Sequence, residues 1–426
     1  MSGATALRAN RALRQGSGQR LGQGLGARAV LQARRLDRWL WCLPLITATL
    51  ASKLAIPPFG ERGLSIATPL ICLAVLLGAA TGRLVFDRHR LLGYLLLLAL
   101  LWAFQLFDGE FSPLSMLLLT LLHLPYVLQL KRRPDPAQVL GWFQALALLI
   151  GALGLLQYSI QFAVGPQFAF PIENFFPAAF RVSAFNMQGN LAYGSEVYRT
   201  NGVFMLEPSF FSQLMALGIV VEIITRRRVW AMLLLASSML LSYSGTGVAL
   251  LGASLLFLAI GHGRWDLLMS LAVGALLLVG MAGFVGNVPY VSVFLARAGE
   301  FSSQGSSGFA RFVGGFYVFD QFLWGHLREA LIGYGAGTFQ TYSLRSPYPA
   351  AGMAIFKIVF EFGLIGAIAY FGFLYDCVAR SSAPAVLRFA VGLTFLLSGI
   401  YIPFAHALAL SLLIWTAPPH ATSSRA

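Results

Sequence analysis

Arginine side chains stand at a few widely separated positions in segments rich in phenylalanine and tyrosine. Arg199, Arg311 and Arg345 belong to this group. A guanidinium group forms paired, charge-assisted hydrogen bonds with phosphate oxygens, so arginines gathered at one place suit a diphosphate. If that diphosphate departs during a reaction, the same groups stabilise the negative charge that develops on the leaving oxygen. A leaving group of this kind is already activated.

Carboxylates and one histidine are the candidates for acid, base or positioning roles. Glu207 is either an ion-pair partner that holds the fold or a group that orients an arginine or acts as a general base. Lys357 and Glu361 stand four residues apart, on one helix face, where they can neutralise each other. His326 is the one histidine expected in a large loop on the outer side of the membrane, as the apolar runs and basic residues described below predict. We take Glu207, Glu361 and His326 as the catalytic candidates.

The sequence lacks the usual patterns of metal and nucleotide sites. No two histidine, cysteine or carboxylate positions show metal-ligand spacing, and Cys42, Cys72 and Cys377 are too scattered for a disulfide framework. Neither a phosphate-binding glycine loop followed by Lys-Ser or Lys-Thr nor a Gly-x-Ser-x-Gly elbow is present. We therefore expect chemistry that uses no metal, no cofactor and no nucleotide.

Long apolar runs must position these side chains. Of the 426 residues, 58% are hydrophobic and 11% are charged, against about 25% charged in soluble domains, which excludes a soluble enzyme. A bilayer core about 30 Å thick needs roughly 20 apolar residues per helix. The chain is therefore predicted to be all-α, a polytopic membrane protein with about twelve transmembrane helices. These are predicted near residues 39–56, 64–82, 91–107, 114–130, 137–163, 201–224, 229–243, 245–261, 267–286, 351–375, 387–402 and 404–416.

The basic residues predict the orientation of these helices. With the N-terminus in the cytoplasm, 21 of the 30 lysines and arginines fall in inner segments and seven in outer ones. Basic residues concentrate on the cytoplasmic side of membrane proteins, so both termini are predicted to be cytoplasmic. The net charge of +14 is thus read as a topology signal and not as a nucleic-acid-binding surface.

The chain divides into a single transmembrane domain and two short tails. Residues 1–38 are predicted to be a disordered basic tail that contacts anionic lipid, residues 39–416 form the membrane domain, and residues 417–426 form a second tail. Two long loops, at about 164–200 and 287–350, both fall on the outer side. They are predicted to contain short helices, including one over 309–330 that lies in or re-enters the membrane interface.

Five segments together resemble a known family. The chain is similar to the bacterial O-antigen polymerases and ligases, the Wzy-type superfamily, over about residues 199–366. The segments that carry the resemblance, in the order seen in the family, are RTNGVFMLEPSFFSQ (199–213), LLSYSGTGVALL (240–251), GFARFVGGFYVF (308–319), LIGYGAGTFQTYS (331–343) and IFKIVFEFGLIG (355–366).

The resemblance implies an inner-membrane glycosyltransferase that acts at the periplasmic face on undecaprenyl-diphosphate-linked oligosaccharides without metal or nucleotide. It places Arg199 and Arg311 where the family has recurrent periplasmic arginines, and Glu207 at the acidic position of the first motif. Arg297 stands at a spacing from Gly308 that some polymerases share. A chain-length regulator protein is a further expected partner.

One departure from the family favours a polymerase. Ligases carry a His-Asn pair shortly before the segment that ends in EFGLIG, whereas residues 346–359 contain no histidine. Arg345, Tyr348 and His326 are the substitutes considered for that group. Two other functions stay open, namely a ligase of the same superfamily and a transporter or flippase of lipid-linked glycans, whose ion-coupling groups would be Glu207, Lys357 and Glu361.

Overall fold

The described part of the chain folds mostly into packed α-helices with two short antiparallel strand pairs, so the prediction of a mainly helical fold is confirmed. The described part of the chain does not include residues 1–35, 270–298 and 417–426. Most of the span predicted at 267–286, most of the predicted N-terminal tail and the predicted C-terminal tail therefore lie outside it. The computed structural model describes residues 36–57, 64–107, 110–183, 185–191, 196–261, 263, 265, 269, 299, 302–304, 306–348 and 350–416.

Eleven longer helices make up most of the described chain. They fall within or overlap every predicted span except 267–286. In chain order they are α1 (36–50), α2 (Ala67–Ala80), α3 (Arg88–Gln105), α4 (Pro113–His123), α5 (Pro136–Ala163), α8 (Pro208–Ile224), α9 (Val229–Leu241), α10 (Gly245–Gly261), α15 (Ala354–Ala379), α16 (Ala385–Leu397) and α17 (Pro403–Leu408), which continues as a π-helical turn (Ala409–Ile414).

Short elements fill the described parts of the two predicted outer loops and join the long helices. The helices are α6 (Pro166–Ala169), α7 (Pro171–Phe175), α11 (Ser307–Phe312), α12 (Gly314–Val318), α13 (Leu327–Ile332) and α14 (Phe339–Arg345), with 3-10 turns at Leu124–Val127 and Ala178–Phe180 and a π-helical turn at Phe319–Leu323. The strands pair antiparallel, β1 (Ala55–Ile56) with β2 (Leu64–Ser65) and β3 (Leu84–Phe86) with β4 (Leu128–Leu130).

The prediction of one interfacial helix over 309–330 is wrong, because this segment is divided into three short helices and a turn. Val313 has a φ of −116° and separates α11 from α12. At Gly315 a Cβ atom would lie 2.3 Å from the ring of Phe356, so the glycine lets α12 approach α15 closely.

Helix α8 is the centre of the molecule. Every residue from Pro208 to Glu222 is buried, and α5, α9, α10 and α16 pack around it. A helix that is apolar on all sides is the expected occupant of such a position. Because α8 begins directly after Glu207, this buried helix also fixes the position of that carboxylate.

Several helices at the periphery of the fold expose apolar side chains. Leu76 of α2, Leu96 of α3 and Ile368 of α15 are 66%, 63% and 74% exposed. Two helices, α5 and α15, are long and apolar enough to cross a membrane, and seven apolar helices of 10–17 residues accompany them. This pattern favours a membrane protein, while the count of twelve spans stays a prediction.

Candidate functional site

A cavity of about 570 Å³ lies where α8, α11, α15 and the chain between α16 and α17 meet. Its charged lining residues are Glu207, just before α8, Arg311 in α11 and Lys357 near the start of α15. Apolar side chains make up much of the remaining wall. Among them are Leu64, Leu118, Phe185, Met205, Leu206, Phe210, Phe339, Met353, Leu397, Ile400, Ile402 and Phe404.

Glu207 and Arg311 form a partly buried ion pair in the wall of this cavity. Arg311 Nη2 lies 2.6 Å from Glu207 Oε2, and the two side chains are 21% and 14% exposed. The Ser209 hydroxyl donates to the same carboxylate oxygen at 2.9 Å and accepts from Arg311 Nη2 at 3.2 Å. The backbone N–H of Asn186 donates to Glu207 Oε1 at 3.2 Å. These contacts hold the Arg311 guanidinium in one orientation.

The predicted helix start at residue 201 is wrong, since α8 begins at Pro208. Proline suits the first helical position because its missing N–H is one that the helix does not need there. Gly202 and Val203 both have a φ of +67°, which excludes a helix through them. Glu207 is therefore in extended conformation, and its side chain does not cap the helix, so the carboxylate can face Arg311.

Arg199 is half-buried beside this site but does not line the cavity. Its Nε atom is buried and has no hydrogen-bond partner within the described ranges. Burial, and next the positive charge of Arg311, lower the pKa of Arg199 from its ordinary value. The positive charge of Arg311 therefore disfavours the charged form of Arg199, and an anion bound near the two arginines would offset that repulsion.

Lys357 and Glu361 form the ion pair expected from their spacing. Lys357 Nζ lies 2.6 Å from Glu361 Oε1 and 5.2 Å from the ring centroid of Tyr401. The Glu361 side chain is fully buried and also accepts from the backbone N–H of Phe339 at 3.3 Å. Lys357 faces the cavity, whereas Glu361 is not among its lining residues. The geometry gives Glu361 the role of holding the lysine.

The other candidates from the sequence do not line the cavity. His326 and Arg345 are exposed, and the Arg345 guanidinium lies over the ring of Tyr342. Tyr348 packs against Tyr317 at 4.7 Å between ring centroids and accepts a hydrogen bond from Gln304 at 3.0 Å. Arg297 lies outside the described residues. The structure thus brings Glu207, Arg311 and Lys357 to one cavity and leaves these side chains elsewhere.

Another buried ion pair, which the sequence did not reveal, anchors the first predicted outer loop. Lys53 pairs with Glu173 of α7, and both side chains are almost fully buried. Lys53 also donates to the carbonyl of Val203, and Arg181 donates to the carbonyl of Glu173. Lys53 and Glu173 are 120 residues apart, so no local spacing could have indicated their contact. The pair ties this loop to the end of α1, next to the cavity.

His123 and His406, which are far apart in the sequence, lie together, with their ring centroids 4.8 Å apart. His406 Nε2 donates to the carbonyl of Ile400 at 2.7 Å, because a carbonyl can only accept. His406 Nδ1 then accepts from the Tyr126 hydroxyl at 2.9 Å. His123 makes the equivalent contact with the Tyr370 hydroxyl at 2.8 Å. Since Ile400 lines the cavity, this cluster supports the cavity wall from behind.

Comparison with known proteins yields no assignment. No protein-family model matches the chain, and no curated protein matches its sequence. Among the described residues, no group of three histidine, cysteine or acidic side chains is arranged to hold a metal ion. The proposal for its function therefore depends on the cavity and on the resemblance of its sequence motifs.

Proposed function

We propose that the protein is a polysaccharide polymerase of the Wzy type, a glycosyltransferase of the bacterial inner membrane. It joins oligosaccharide repeat units carried on undecaprenyl diphosphate at the periplasmic face. In the reaction, a hydroxyl of one repeat unit attacks the anomeric carbon of another. The bond from that carbon to the diphosphate oxygen breaks, undecaprenyl diphosphate leaves, and the hydroxyl proton passes to a base or to water.

The observation that carries the proposal is the charge of the cavity. Two cationic side chains, Arg311 and Lys357, and one carboxylate, Glu207, line walls that are otherwise largely apolar. A diphosphate on an isoprenoid chain offers the same combination of anionic and apolar parts. Charged groups in such surroundings act strongly on a developing negative charge because little water screens them.

The proposal gives each charged residue a separate task. Arg311 binds the diphosphate and stabilises the charge on the leaving oxygen. Glu207 orients Arg311, since Arg311 and Ser209 already contact one of its oxygens. Lys357, held by Glu361, supplies a second positive charge to the cavity. Arg199, which does not line the cavity, adds positive charge next to the site.

Substitution of the arginines tests the proposal. In cells that make the polymer, Arg311→Ala and Arg199→Ala, at normal membrane levels of the protein, are expected to abolish long chains and leave single repeat units. Loss of one donor to a developing negative charge lowers a rate by about 10²–10³-fold. Chain length is read from a gel of the extracted polysaccharide. The matched control is Arg328→Ala, an exposed arginine outside the cavity that contacts Glu329, and its chains should keep their length.

The outcomes separate the proposal from its rivals. Unchanged chain length in Arg311→Ala would remove this residue from the site and contradict the proposal. Long polymer that accumulates on undecaprenyl carriers would identify a ligase. Purified protein in proteoliposomes that moves lipid-linked glycan across the bilayer and forms no glycosidic bond would identify a transporter.

A further inference from the structure

A second cavity, which we call the arginine groove, lies at the other end of α1. Ser52 lines the first cavity, and Arg38 is 14 residues earlier, which is about 20 Å along a helix. The groove has a volume of about 560 Å³ and lies between the start of α1 and the chain that leads into α5. It is lined by Asp37, Arg38, Trp41, Arg132, Arg133, Pro134, Asp135 and Gln138.

The acidic residues of the arginine groove are already engaged. Asp37 pairs with Arg83, and Asp135 accepts from the backbone N–H of Ala137 at 3.0 Å as the N-cap of α5. The guanidinium groups of Arg38, Arg132 and Arg133 make no hydrogen bond or ion pair within the described part of the chain. The groove therefore presents three cationic groups that have no acceptor among the described residues.

Trp41 is an independent indication of a ligand. Its side chain is fully buried and lines the arginine groove, and its Nε1–H has no hydrogen-bond partner among the described residues. An indole nitrogen can only donate, and a buried donor without an acceptor costs about 1–3 kcal/mol. A ligand with several anionic oxygens offers an acceptor to this donor and to the three exposed arginines of the groove.

We propose that the arginine groove binds a phosphate group, supplied by the headgroup of an anionic phospholipid. A guanidinium group binds a phosphate through two parallel hydrogen bonds to its oxygens. Basic pockets on the cytoplasmic side of membrane proteins bind anionic lipid headgroups. The groove lies at the end of α1 that the distribution of basic residues places in the cytoplasm. Free phosphate offers the same chemistry from solution, so the experiment compares both sources.

Native mass spectrometry of the full chain tests this inference. The protein, released from a neutral detergent, is titrated with phosphatidylglycerol, with phosphatidylcholine and with inorganic phosphate. We expect one phosphatidylglycerol to remain bound in preference to phosphatidylcholine. Each basic residue near a membrane surface contributes about a fivefold factor to the affinity for anionic lipid, so Arg132→Gln with Arg133→Gln should weaken binding by about 25-fold. Trp41→Phe, which keeps the ring and removes the donor, should weaken it by about fivefold.

The matched control removes two arginines from another predicted cytoplasmic loop. Arg226→Gln with Arg227→Gln takes away the same charge, both residues are exposed, and neither lines the groove. Unchanged phosphatidylglycerol binding in this variant supports the proposal. An equal loss in both double variants would mean unspecific attraction and would overturn it, as would equal binding of the two lipids. Binding of inorganic phosphate with the same dependence on Arg132, Arg133 and Trp41 would keep the phosphate site and replace its lipid source.

Discussion

Buried charged side chains in the described chain stand beside partners of opposite charge, and each pair has a structural consequence. Lys53 with Glu173 anchors the first predicted outer loop, and Lys357 with Glu361 fixes a cavity cation. Arg228 and Glu222 pair at the end of α8, with two contacts of 2.9 Å. A buried ion pair contributes less stability than its short distances imply, but breaking one leaves an uncompensated charge. The stability of the protein is therefore most sensitive to the loss of one partner of such a pair.

Removal of Lys53 should therefore destabilise the protein strongly. Lys53→Met leaves Glu173 buried without its cation and Val203 without a donor, which is expected to cost about 3–5 kcal/mol. The measurement is the thermal unfolding of the full chain in detergent. The exposed Lys131 is the control, and Lys131→Met should leave the melting temperature unchanged.

The double variant Lys53→Met with Glu173→Gln gives the complementary test. It removes both charges, so its loss of stability should be smaller than that of Lys53→Met alone. A double variant that is less stable than the single one would contradict the view that the unpaired carboxylate causes the loss.

Helix α15 departs from regular geometry at one residue, and that departure shapes the site. Gly363 has a φ of +64° inside the helix, two residues after Glu361. A Cβ atom there would lie 2.2 Å from the carbonyl carbon of Leu331, and one at Gly333 would lie 2.4 Å from that of Glu361. Two backbones therefore meet without side chains between them. The kink lets α13 pack against α15 directly beside the Lys357–Glu361 pair.

A methyl group at the kink should be tolerated poorly. Gly363→Ala combines a strained left-handed conformation with a backbone clash, and we expect a loss of about 2–5 kcal/mol in unfolding free energy. Gly372→Ala in the same helix is the matched control, since no atom lies within 4 Å of its Cβ position. That variant should gain about 0.5–1 kcal/mol because alanine favours the helix. Equal melting temperatures of the two variants would refute the argument.

For the whole molecule, the distribution of apolar surface and basic residues is the feature to test. Apolar side chains are exposed on α2, α3 and α15, and α8 is enclosed by other helices. This arrangement suits a hydrocarbon environment around the outer helices. The predicted topology then places Arg345 outside and Arg226 in the cytoplasm.

Cysteine labelling of intact cells checks this topology. Cys42 and Cys377 are buried, so Cys72→Ser gives a background of low reactivity. In that background, Arg345→Cys should react with a membrane-impermeant maleimide in intact cells. Arg226→Cys should react only after the inner membrane is opened. Labelling of both positions from outside would contradict the predicted orientation.

The sequence was most informative about long apolar helices. The span predicted at 137–163 corresponds to α5 at Pro136–Ala163, and the one at 245–261 corresponds to α10. A long apolar run between polar or glycine-containing turns limits the chain to few arrangements. The error at residues 201–207 arose because Gly202, Val203 and Pro208 form a turn within an apolar stretch, where hydropathy alone does not distinguish turn from helix.

The sequence by itself determined that this chain is helical and strongly apolar. It also determined where cations and carboxylates stand along the chain. Both properties can be read from composition and local spacing, which do not depend on how distant segments pack. The tertiary structure decided which of them meet. Arg311 and Glu207 are 104 residues apart, and Lys53 and Glu173 are 120 apart. Such contacts depend on how helices pack around α8, so the cavity and the arginine groove became visible only in the folded chain.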